Sequence, residues 1–93
     1  VALVASADHA HAHGPDGPYG FDEAAAAYDA RFQELVAAEP LDFMPLAPLV
    51  EAAMADSLWQ LLVLQGAARG PAELLAYAAP TYYGMAVAVL GVT

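Results

Sequence analysis

The chain has 93 residues, 60% of them hydrophobic and only 14% charged, and eleven acidic residues against two arginines give a formal charge of −9. That length admits one small domain at most, and the charged share is well below the roughly 25% of ordinary soluble domains. With no lysine to neutralise phosphates, nucleic-acid and nucleotide binding and a polybasic membrane-surface patch are excluded, and with no cysteine so are disulfides, thiolate metal sites and a cysteine nucleophile.

The charge is unevenly placed. Residues 1–56 hold all the acids except Glu73, with Arg31 as their one basic residue, and so carry −9, whereas in residues 57–93 Glu73 offsets Arg69. This divides the chain into an extended or irregular segment (1–20), an acidic amphipathic helical head (21–56) and an apolar helical region for membrane or partner packing (57–93).

Val1-Ala2-Leu3-Val4-Ala5-Ser6-Ala7 has the small-x-small pattern that ends a signal or transfer peptide. An apolar segment packed on a neighbouring chain is the alternative. Residues 8–20, DHAHAHGPDGPYG, read as a linker rich in Gly, Pro, Asp and His. In it, His9, His11 and His13 alternate, so an extended backbone projects three imidazoles to one side, a pattern that suits Zn²⁺, Ni²⁺ or Cu²⁺ with Asp8 or Asp16 adding a carboxylate. A solvated tail is the plainer reading of so short a tract. Gly14, Gly17 and Gly20 do not make a phosphate loop, because Pro15 and Pro18 lack an N–H, Asp16 repels phosphate and no lysine follows.

A first helix is expected from Asp22, an N-cap, through strong formers Ala24 to Ala27, with Tyr28, Phe32 and Leu35 on one apolar stripe and Asp29, Gln33 and Glu34 off it. Pro40 stops it. Pro45 and Pro48 make 41–48 a turn, and a second helix follows from about Pro48 toward Gly66 or Gly70. Its second half, Leu58 to Leu64, is apolar around nearly the whole circumference and so reads as buried on all sides. Within it Gln60 and Gln65 are the amides most in need of partners.

Gly70-Pro71 punctuates, and a third helix is expected from Pro71. Between Leu74 and Val92 no residue is charged, and a helix of that length matches the ~30 Å hydrocarbon thickness of a bilayer. Pro80 kinks or breaks it. Gly84, Ala88 and Gly91 then form a stripe of small residues that lets another helix approach. Trp59, Tyr77, Tyr82 and Tyr83 suit a membrane interface, packing on a partner, or the flank of a pigment, quinone or lipid held by other subunits. One arginine, Arg69, is too little to orient such a span.

Catalysis has little material. The serines are Ser6 and Ser57, every histidine lies near the N-terminus, and Glu51 and Asp56 are turned apart on a helix. The expectation is an all-α chain of two to three helices, without catalytic residues or a cofactor of its own. It acts as a small accessory subunit of a membrane complex of photosystem or respiratory type, in a thylakoid or other energy-converting membrane. Its partners are other subunits and lipid, packed by Trp59, Leu62, Tyr82, Tyr83, Gly84, Ala88 and Gly91. The rival readings are a helical adaptor that closes its apolar faces against a protein partner, and a metal-binding protein using the His tract.

Overall fold

Helix α1 (Glu23–Val36) starts where the sequence places a cap: Asp22 is extended and its Oδ1 accepts from the Ala24 N–H at 2.9 Å. The structure, a computed structural model, describes residues 7–92, and at 69–71 and 90–92 the backbone alone. The signal-like segment's residues 1–6, the side chain of Arg69 and Thr93 lie outside the described residues. α1 buries Ala25, Tyr28, Asp29, Phe32, Leu35 and Val36, and so lays a wider stripe on the core than the three large side chains alone define.

Ahead of α1, strand β1 (Asp8–Ala10) lies along the core. After α1 a 3₁₀ turn (Met44–Leu49) leads into the one-turn helix α2 (Val50–Ala53). Phe43 and Leu46 are fully buried here, with the Phe43 ring nearly parallel to Phe32 at 5.9 Å. The second helix therefore does not run on from Pro48. Met54, left-handed at φ 53, ψ 48, ends α2, and the chain becomes strand β2 (Ala55–Asp56), antiparallel to β1. The turn is held from the side, because the Met54 carbonyl accepts from the His11 backbone N–H and from its ring.

Helix α3 (Leu58–Ala67) has ten residues, about 15 Å of helix and half a bilayer. It is not buried all round. Leu58 and Leu61 face the core and Leu62 packs against it, while Trp59 is 77% exposed and Val63 66%. Gln65 finds its partner, accepting from the Phe43 N–H at 2.7 Å, whereas Gln60 Oε1 is shielded from solvent and accepts from no described residue.

The chain then turns directly into strand β3 (Ala68–Ala78), which pairs antiparallel with β4 (Met85–Val92). The expected third helix is corrected to a hairpin. Its physical reasons are local. Met85-Ala86-Val87-Ala88-Val89 alternates large and small with period two and carries β-branched residues. Pro80 breaks helical pairing in the middle of the run, where the hairpin turns. Pro71 is accommodated where the register shifts between Ala68 and Ala72. Alanine's helix propensity is a weak prior that this tertiary pairing overrides.

The all-α expectation is thus overturned. The chain is mixed α/β, with three α-helices and two antiparallel two-stranded sheets among the described residues. None of those helices is long and apolar enough to cross a membrane. The transmembrane helix, its small-residue stripe at Gly84, Ala88 and Gly91, and the photosystem and thylakoid placement that rested on them are withdrawn.

Candidate functional site

Two polar clusters tie β1 and the segment after it to the rest of the molecule, and both use the His tract. Asp29 is the centre of the first. It sits on the inner face of α1, 1% exposed, where its Oδ1 accepts from the Ala10 N–H at 3.1 Å and its Oδ2 from His13 Nε2 at 2.7 Å and from the Tyr77 hydroxyl. A carboxylate can only accept, so Nε2 is the protonated nitrogen of His13. Gly84 closes over this group. A Cβ there would lie 1.8 Å from Asp29 Oδ2 and 2.9 Å from the Tyr77 oxygen. Burial first, and then the hydrogen bond to Asp29, push the Tyr77 phenol above its ordinary value. A phenol held protonated in this way is a poor metal ligand.

The second cluster is a buried chain. Ser57 Oγ lies 2.9 Å from His9 Nδ1 and 2.8 Å from the Tyr28 hydroxyl, and the His9 ring sits 4.2 Å from Phe32. A serine beside an imidazole is the pair that nucleophilic chemistry needs. Here both are buried, and the one nearby buried carboxylate, Asp29, is committed to Ala10, His13 and Tyr77 rather than to His9. The arrangement holds β1, α1 and the start of α3 together.

Burial pushes His9 below its ordinary value of 6.5, against the opposing pull of the Asp29 and Asp8 carboxylates. The unfolded chain takes up a proton below 6.5 that the folded chain resists, so His9's contribution to stability is whole above that pH and is lost as the pH falls past it. The denaturant midpoint is expected to drop between neutral pH and about pH 5, and His9→Leu to flatten the drop. An equally steep decline in the variant would exonerate His9.

His11 belongs to neither cluster. Its Nδ1–H donates to the Met54 carbonyl at 2.8 Å, which leaves Nε2 facing Asp8 Oδ2 at 3.4 Å. Its ring meets Tyr19 edge-on at 5.5 Å and lies nearly parallel to Tyr83 at 5.9 Å. Tyr82 and Tyr83 are themselves edge-on at 5.1 Å. The loop 14–20 packs against Tyr82, and Gly17 is required there because a Cβ would lie 2.6 Å from the Tyr82 Cβ.

The three imidazoles therefore go to three separate destinations, Ser57, the Met54 carbonyl and Asp29. Among the described residues no group of three or more His, Asp or Glu side chains is placed to hold a metal ion. Of the residues assigned to partner packing, the structure gathers Tyr82 and Tyr83 at the hairpin turn and sets Gly84 against Asp29. It turns Ala88 to the core and leaves Trp59 in solvent. Asp29, Tyr77 and Ser57 emerge as central only from the fold. A signal for Asp29 existed, because Ala25, Asp29, Phe32 and Val36 are spaced four, three and four, the repeat of one helix face. No family model matches the chain, and no curated protein matches it in sequence.

Proposed function

We propose that this chain is a non-catalytic interaction module that docks a protein partner on the outer face of the β3–β4 hairpin. The observation that carries this is the sidedness of β4. Antiparallel sheets with one solvated face place apolar residues inward and polar ones outward. Here Ala86 and Ala88 pack against the core with Ala72 and Leu74, while the larger Met85, Val87 and Val89 point away from it. Val87 is 59% exposed and Val89 55%, and Leu75 on β3 is exposed beside them. Glu73, opposite Val89, is the charged residue on that side among the described side chains.

A two-stranded hairpin is marginal unless something covers it, and its two long edges invite a further strand. Residues 57–93 carry no net charge, so the hairpin's own charges do not select the sign of the partner. The reading keeps the idea of an accessory chain whose work is assembly, with a protein surface in place of a lipid one.

A photo-crosslinker at Val87 is expected to join the chain to one defined partner in its own cell extract, whereas a crosslinker at Glu34 on α1 is not. With that partner purified, Val87→Lys/Val89→Lys is expected to weaken association by about tenfold or more while shifting stability by about 0.5 kcal/mol at most. Equal affinity in the double variant would overturn the proposal. So would self-association, or partition into lipid vesicles, as the only binding the hairpin face supports.

A further inference from the structure

The rings at the turn of the hairpin gather around one histidine, and nothing in the assembly module proposed above uses them. Tyr19 comes from the loop after β1, and Tyr82 and Tyr83 from the turn between β3 and β4, some sixty residues away in sequence. They close around His11, with Tyr19 and Tyr82 at 6.3 Å and Tyr82 and Tyr83 at 5.1 Å. Tyr19 is 51% exposed, and Tyr82 and Tyr83 are partly so. Asp8, more than half exposed, lies 3.4 Å from Nε2 of His11, the ring that the tyrosines surround. Asp16 lies in the loop that carries Tyr19. Arg31 is committed to Glu34 on α1, at 3.0 Å.

Aromatic faces carry negative electrostatic potential, and cations within about 6 Å of a ring centroid are drawn to them. A carboxylate beside the rings adds to the same potential. An acidic chain attracts a basic partner at long range as well, and the potential accelerates encounter.

We infer that Tyr19, Tyr82, Tyr83 and Asp8 form a receptor for the guanidinium of an arginine in a basic segment of the partner protein. Arginine fits better than lysine because its planar group stacks on a ring while its N–H donors reach a carboxylate. The inference rests on the module reading, and it names the chemistry of the partner beside the hairpin face.

The test uses the whole chain and a short arginine-rich peptide, with the same peptide carrying uncharged citrulline as control. Binding is followed by calorimetry and by the ring resonances of the tyrosines. The arginine peptide is expected to bind, to weaken as salt rises, and to shift the Tyr19, Tyr82 and Tyr83 signals. The citrulline peptide is expected to bind about tenfold more weakly or not at all. Tyr19→Ala and Tyr83→Ala each reduce binding severalfold, Tyr19→Phe retains it because the ring remains, and Asp8→Asn lowers it.

Lack of binding by the arginine peptide overturns the inference, as does binding that ignores the Tyr19→Ala/Tyr83→Ala double variant, which would reduce it to general attraction to an acidic surface. Its failure is separable from failure of the docking face. Peptide binding that survives Val87→Lys/Val89→Lys, while partner association also survives, sinks the face alone. Loss of partner association in that variant, with no peptide binding by the wild type, sinks the ring receptor alone.

Discussion

Asp29→Ala is expected to lower the unfolding free energy by about 3–4 kcal/mol, a large share of what a domain this small possesses. The carboxylate is buried and receives the Ala10 N–H, the His13 ring and the Tyr77 hydroxyl. Alanine leaves the buried Ala10 N–H and the part-buried Tyr77 hydroxyl without their acceptor, and each orphaned group costs about 1–3 kcal/mol. Asn separates shape from charge. Its oxygen can still accept from Ala10, and its amide donates to a Tyr77 oxygen and a His13 nitrogen that have exchanged roles. Asp29→Asn should therefore lose about half as much. Urea denaturation of the three proteins checks the order. An alanine variant as stable as wild type would mean that the three donors find water instead, and that the tie between β1, α1 and β3 is decorative.

Gly84→Ala is the second large effect. The added methyl group meets the Asp29 carboxylate at a distance no pair of atoms tolerates, and the Tyr77 hydroxyl as well. The carboxylate is not the far end of a flexible chain, because its partners hold it on both oxygens. Nor can the backbone of Gly84 retreat easily, since its N–H donates to the Ala10 carbonyl at 2.9 Å and its carbonyl accepts from His9. Overpacking of a filled core costs about 1–3 kcal/mol, and the upper end or beyond is expected here because the hydrogen bonds are displaced along with the packing. In the Asp29→Ala background the clash with the carboxylate disappears and only the contact with the released Tyr77 hydroxyl remains, so the two losses should add only in small part. A double variant clearly less stable than Asp29→Ala alone would show that Gly84 matters for some other reason.

Much of the N-terminal half was legible in the residues. The start of α1 followed from Asp22 and the alanines behind it, because a cap and a run of strong helix formers are local and need no partner. The apolar stripe of Tyr28, Phe32 and Leu35 followed from helical spacing alone. Asp29 was misread as lying off that stripe. An acid one position from Tyr28 reads as solvent-facing in a chain with eleven acids, and only the approach of β1, with an N–H to donate, makes its burial tolerable. Likewise, the His tract was visible as a cluster but not as three separate anchors, since their destinations at Ser57, Met54 and Asp29 are set by long-range packing.

The C-terminal third shows the opposite case. Its lack of charge was plain in the sequence, and so was the inference that something other than water should cover it. The step from there to a spanning helix rests on length and lack of charge. Neither distinguishes a helix from a hairpin, and the alternation in Met85 to Val89 is the discriminator. A backbone that pairs with itself across a turn at Pro80 satisfies the inward-facing half of its hydrogen-bonding groups and leaves the outer edges of both strands open.

Composition and residue order alone established an acidic front and a neutral apolar back, because these depend only on which side chains are present and where they stand in the chain. Which residues became anchors, which face of the apolar segment met the core, and which was left outward depended on contacts between positions as far apart as His9 and Gly84. Such contacts arise only when β1, α1 and the hairpin close on one another, and no local pattern encodes them.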